Sequence, residues 1–84
     1  MRIQSLQPSF NESNSYLDIV ANKEGRVTLK VLSANGLMAK TVTTTIGSGN
    51  QKLALDLNDL NSGVYVLNAF NDGEFVKSIR FIKQ

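Results

Sequence analysis

The amino-acid sequence predicts an all-β fold, two antiparallel sheets packed face to face, and three observations carry that prediction. Apolar residues alternate with polar ones at period two through several segments, the spacing of a half-buried strand. Turn signals separate those segments at the 8–12-residue intervals typical of a sandwich or barrel. No amphipathic helix of useful length competes.

The elements follow in order. Residues 3–8 form a first edge strand closed by the single proline, which cannot donate to a ladder. Residues 16–21 form the next, followed by a turn over Asn22-Lys23-Glu24-Gly25. Residues 25–33 give the clearest strand, with Val27, Leu29 and Val31 alternating with Thr28 and Lys30. Asn35-Gly36 signals a type I′ hairpin turn, so Gly36 is singled out as structural. The returning strand, residues 37–46, is rich in β-branched residues. Gly47-Ser48-Gly49-Asn50 reads as a flexible hairpin loop, since the Lys-Ser/Thr and helix of a phosphate cradle are missing. Leu53, Leu55 and Leu57 then alternate with polar or small residues, and Leu60 is placed to plug one end of the sandwich. Leu53, Leu57 and Leu60 also fit helical spacing, but Asn58, Asp59 and Gly63 make a poor helix. Residues 63–70 and 74–83 supply two more strands around an Asn71-Asp72-Gly73 turn. The result is an immunoglobulin-like or fibronectin-like antiparallel β-sandwich of about seven strands.

Composition removes most chemistry. The chain has 84 residues, enough for one domain (residues 1–84) with a thin core. Histidine, cysteine and tryptophan are absent, which excludes disulfides, thiolate or imidazole metal sites and Ser-His or Cys-His nucleophiles. No apolar run approaches membrane-spanning length, and the first residues lack a signal peptide's apolar core. The expectation is no enzyme, no cofactor, no metal and no transmembrane segment. A net charge of +2 is too small to imply nucleic acid. Its placement is informative: residues 1–72 carry six positive and six negative side chains, so the excess comes from Lys77, Arg80 and Lys83 against Glu74. Such cations guard an edge strand against stray pairing or are offered to a partner.

Other candidates have plain structural accounts. Asp56 and Asp59 flank a turn, where Asx side chains bond nearby backbone, and offer too few oxygens for calcium. Asn11-Glu12-Ser13 fits the N-glycosylation pattern and is better read as a turn cap. The aromatics Phe10, Tyr16, Tyr65, Phe70, Phe75 and Phe81 are expected mostly in the core, not as a sugar-stacking platform. Gly63 supplies the backbone freedom to enter a central strand, and Tyr65 two residues later is placed for a tyrosine corner, ring inward and hydroxyl on backbone.

One series of motifs resembles a known family. It comprises an early Pro-containing strand, Gly-Arg-Val-Thr-Leu-Lys-Val (25–31), Asn-Gly (35–36) and Leu-x-Leu-x-Leu (53–57). Asp-Leu-Asn-Ser-Gly-Val-Tyr-Val (59–66) and the terminal Lys-Ser-Ile-Arg-Phe-Ile-Lys (77–83) complete it. From about residue 3 onward the chain resembles the type A C-terminal sorting domain of the type IX secretion system of Bacteroidota. It departs from the family where Gln7-Pro8-Ser9 stands in place of Pro-Asn-Pro, and where Leu37 follows Gly36 in place of Lys. The resemblance implies a non-catalytic tail on a larger N-terminal cargo, with Met1 a start codon added to an excised fragment. It implies recognition in the periplasm by type IX components, passage across the outer membrane, and removal by a cell-surface sortase. Lys77, Arg80 and Lys83 on an edge strand are then the expected partner contacts. The competing expectation is a fibronectin-like or carbohydrate-binding accessory module of an extracellular enzyme.

Overall fold

The computed structural model describes the backbone of residues 1–8 and 14–83 and the side chains of residues 1–3 and 15–83. The Asn11-Glu12-Ser13 motif and Phe10 lie outside these residues. The described residues form seven strands: β1 (Arg2–Pro8), β2 (Asn14–Ala21), β3 (Gly25–Ser33), β4 (Met38–Ile46), β5 (Gly49–Asp56), β6 (Gly63–Asn71) and β7 (Glu74–Lys83). They form an antiparallel sandwich of one three-stranded sheet, β1-β2-β5, and one four-stranded sheet, β4-β3-β6-β7. The all-β expectation holds, helix excluded among the described residues.

Period-two alternation sets which face is buried. Leu17 and Ile19 of β2 and Leu55 of β5 meet Val27, Leu29 and Val31 of β3 and Leu67 and Ala69 of β6, with Phe81 added from β7. All of these are buried, while their alternating neighbours Tyr16, Arg26 and Arg80 are exposed. A one-residue slip in any strand would turn this apolar set to solvent, so the pattern fixes the register.

Three local readings change. Asn35-Gly36 does not form a type I′ turn: Gly36 has φ +86° but Asn35 is not in the positive-φ region. Gly36 N–H donates to Ser33 O at 2.9 Å, and Ser33 N–H donates to Leu37 O at 2.8 Å. This is a type I turn closed by a left-handed glycine, the longer hairpin connection, and an extra residue at Ala39 follows in β4. The type I′ geometry occurs instead at Asp72-Gly73, where both φ values are positive, 50° and 85°.

Gly47-Ser48 is not a hairpin loop, because β4 pairs with β3 while β5 pairs with β2 in the other sheet. It is a corner at which the chain changes sheets, and β5 begins at Gly49, inside the stretch expected to be loop. The Gln51 side chain holds the corner, donating to Gly47 O at 2.7 Å and accepting from Gly47 N–H at 3.2 Å.

The aromatics also divide differently. Among the described residues only Tyr65 and Phe81 are buried, with ring centroids 5.6 Å apart. Phe70 and Phe75 meet edge-on at 5.8 Å on the outer face of the four-stranded sheet. Phe70 is outward by the alternation of β6, and a bulge turns Phe75 to meet it: Asn68 pairs Ser78 and Ala69 pairs Lys77, but Phe70 pairs Phe75, leaving Val76 as the extra residue.

Candidate functional site: the terminal edge strand and the loop beneath it

β7 lies at the margin of the four-stranded sheet, hydrogen-bonded to β6 on one side and, among the described residues, to no strand on the other. Its other side, which β1 of the facing sheet approaches, carries the strand's unpaired backbone donors and acceptors. Lys77, Ile79, Phe81 and Lys83 fall on the inward-facing row, and Ser78, Arg80 and Ile82 on the outward one.

The three predicted cations are not equivalent. Lys77 is exposed at the bulged end, opposite buried Ala69. Arg80 is exposed on the outer face, opposite Val66, which in turn pairs with Leu32 of β3. Lys83 is turned into the fold. Its ammonium donates to Leu57 O at 2.9 Å and to Leu60 O at 3.0 Å. Lys77 and Arg80 therefore face solvent on opposite sides of the edge, and Lys83 fastens its end.

That fastening converges with two others on the β5–β6 loop, residues 57–62. Leu57 and Leu60 are buried at the end of the sandwich, as expected of Leu60. Tyr65 O–H donates to Asn61 O at 2.6 Å, four residues back along the chain. Its buried ring stacks on Phe81. Gly63, with φ +156°, provides the backbone that brings the chain from loop to strand, a conformation side-chain-bearing residues rarely adopt. From β4, at the opposite margin of the same sheet, Lys40 forms a 3.0 Å ion pair with Asp59. The Lys40 ammonium holds the Asp59 carboxyl below the usual carboxylate range, mainly through this hydrogen bond. Asp56 Oδ1 accepts from Asn58 N–H at 2.9 Å, an Asx turn. The two carboxylates are engaged separately, and the described residues hold no metal-ligand cluster.

The outer face of the four-stranded sheet carries further cations that charge counting along the chain misses. Arg26 and Lys30 of β3 lie on it with Arg80, and the Lys30 ammonium sits 5.1 Å from the Phe70 ring centroid. Exposed Ile82 pairs with Val64 beside them. These side chains share one face without clustering, since Arg80 lies level, across Val66, with Leu32, six residues along β3 from Arg26. Tyr16 lies on the outer face of the other sheet, so the exposed aromatics among the described residues do not assemble into one sugar platform.

A family model, Secretion system C-terminal sorting domain, matches residues 11–84. The chain belongs to that family. Domains of this family are C-terminal signals for type IX secretion, and this sorting domain serves the same purpose, directing an N-terminally fused cargo across the outer membrane to the cell surface or beyond. No curated protein and no solved structure is significantly similar to the chain. No helix among the described residues is long and apolar enough to cross a membrane.

Proposed function

We propose that this sorting domain acts as a ligand, without catalysis, and that β7 is the element its secretion machinery reads. A type IX component in the periplasm adds a strand to the free side of β7, main-chain hydrogen bonds supply affinity, and acidic groups on the partner meet Lys77 and Arg80. Lys83 holds the strand's end in place for that encounter. Residues 1–84 make up the label as a whole, and a cell-surface sortase then removes it. The observation that carries the docking mode is the position of β7, at a sheet margin and bearing the surplus positive charge of the chain.

The test fuses residues 1–84 behind an exported reporter in a host with a type IX system. Reporter in the medium or on the cell surface is the expected outcome, and reporter trapped in the periplasm overturns the reading. A second fusion carries Lys77→Ser and Arg80→Ser with Lys83 kept. Export several-fold lower is expected, and full export of this variant, shown folded by circular dichroism, removes the electrostatic part.

A further inference from the structure

Among the described residues four strands lie at sheet margins, with β1 and β7 approaching each other, and three of the four are guarded in the ways natural sheets use against stray pairing. β1 contains Arg2, Pro8 and a register irregularity between Ile3 and Ser5. β5 carries Lys52 and Asp56. β7 carries Lys77, Arg80, Lys83 and the bulge at Val76. β4 is different. Beyond its irregular start at Ala39, the run Thr41-Val42-Thr43-Thr44-Thr45-Ile46 has no charge, no proline and no bulge. Its one cation, Lys40, is neutralised by Asp59 within the fold. Thr41, Thr43 and Thr45 are exposed, and Val42, packed on the core, stays partly uncovered because no strand among the described residues pairs beyond it.

We infer that β4 is a self-association edge and that its occupant is β4 of a second copy, paired antiparallel about a two-fold axis at Thr43. The strand is complementary to itself. In that register Thr43 faces Thr43, Thr41 faces Thr45, and Val42 faces Thr44. Outward residues thus meet outward ones, and the inward row continues across the junction. Threonine pairs across antiparallel strands are favourable, and Lys40 falls opposite Ile46, so no like charges meet. The same operation on β7, centred at Arg80, sets Arg80 against Arg80 and Lys77 against Lys83, which disfavours it. The contact is isologous and closes at two copies. It builds an eight-stranded sheet with a β7 at each far margin, so pairing through β4 leaves the proposed docking strand free in both copies.

Sedimentation equilibrium of the 84-residue chain from micromolar to millimolar concentration tests this. A reversible monomer–dimer equilibrium is expected, with Thr43→Lys weakening it by about tenfold or more by placing two ammonium groups face to face. Thr43 is exposed, so the variant should keep the wild-type thermal melt measured at dilute concentration. Thr43→Cys gives a chain with a single cysteine, which should cross-link under mild oxidation at least several-fold faster than Thr45→Cys. A chain monomeric at millimolar concentration overturns the inference. So does a dimer that Thr43→Lys leaves intact, or equal cross-linking by the two cysteine variants.

Discussion

Removing the Tyr65 hydroxyl while keeping its ring separates what the corner contributes from what the core contributes. Tyr65→Phe deletes one hydrogen bond, the 2.6 Å contact to Asn61 O, and retains the stack on Phe81. Asn61 is exposed, so its carbonyl recovers water, and the expected loss is the net value of a single bond, about 0.5–1.5 kcal/mol. For a chain of this size each kcal/mol lowers the melting temperature by roughly 4–8 °C, which gives a drop of about 2–12 °C. Tyr65→Ala also removes a buried ring and leaves a cavity against Phe81, costing roughly 3–5 kcal/mol. Total stability at this length is only about 4–13 kcal/mol, so the alanine variant should lose from about a quarter to all of it, with a melting temperature lower by roughly 12–40 °C. Far-ultraviolet circular dichroism melts and urea titrations of the three proteins supply the numbers. A Tyr65→Phe melt within 1 °C of wild type, with an unchanged urea slope, would refute the assignment of the hydroxyl as a tie on the loop.

Lys83→Met keeps the aliphatic stem and removes the ammonium from Leu57 O and Leu60 O, with an expected cost of about 1–3 kcal/mol by urea titration. Combined with Tyr65→Phe, the losses should be non-additive, because both bonds anchor one loop. Asp59, its carboxyl depressed by Lys40, contributes stability that is present above the ordinary carboxylate range and lost as pH falls through its lowered folded value. The stability of Asp59→Asn should therefore lie below that of wild type above the ordinary carboxylate range, and the two should converge only as pH falls through the lowered folded value. Gly36→Ala meets no neighbouring atom but must hold φ +86°, so it should cost about 1–2 kcal/mol, and Gly36→Asn less, by thermal melt.

The fold was legible where local chemistry and tertiary demand coincide. β3 begins at Gly25 and ends at Ser33 as its alternation indicates, because the strand is central and its inner row is fully buried. Leu60 as an end plug was legible too, being a lone apolar residue in a polar stretch. The Gly47-Ser48 corner was not, since whether a glycine-rich break returns the chain to its own sheet or sends it to the other depends on which strand awaits it. The outward turn of Phe75 depends on one bulge residue, Val76, that period-two counting passes over. At the candidate site, Lys77, Arg80 and Lys83 could be picked out by charge, but Lys83 separates from the other two through contacts 23 and 26 residues away. Lys40–Asp59 and the placement of Arg26 and Lys30 on the same sheet face as Arg80 escape a linear reading for the same reason.

The start of β7 is tied down as firmly as its end. Asp72 N–H donates to Arg26 O at 2.8 Å, Arg26 N–H donates to Asp72 Oδ1 at 2.9 Å, and Asn71 Nδ2 donates to Arg26 O at 3.2 Å, so the last hairpin is buttoned to the mouth of β3. Clasped there and again at Lys83, the final strand is a rail already laid, not a tail that must be straightened by whatever grips it. On the docking mode proposed above, little disorder would remain to be frozen out on contact, which lowers the ordering cost of forming an interface with β7.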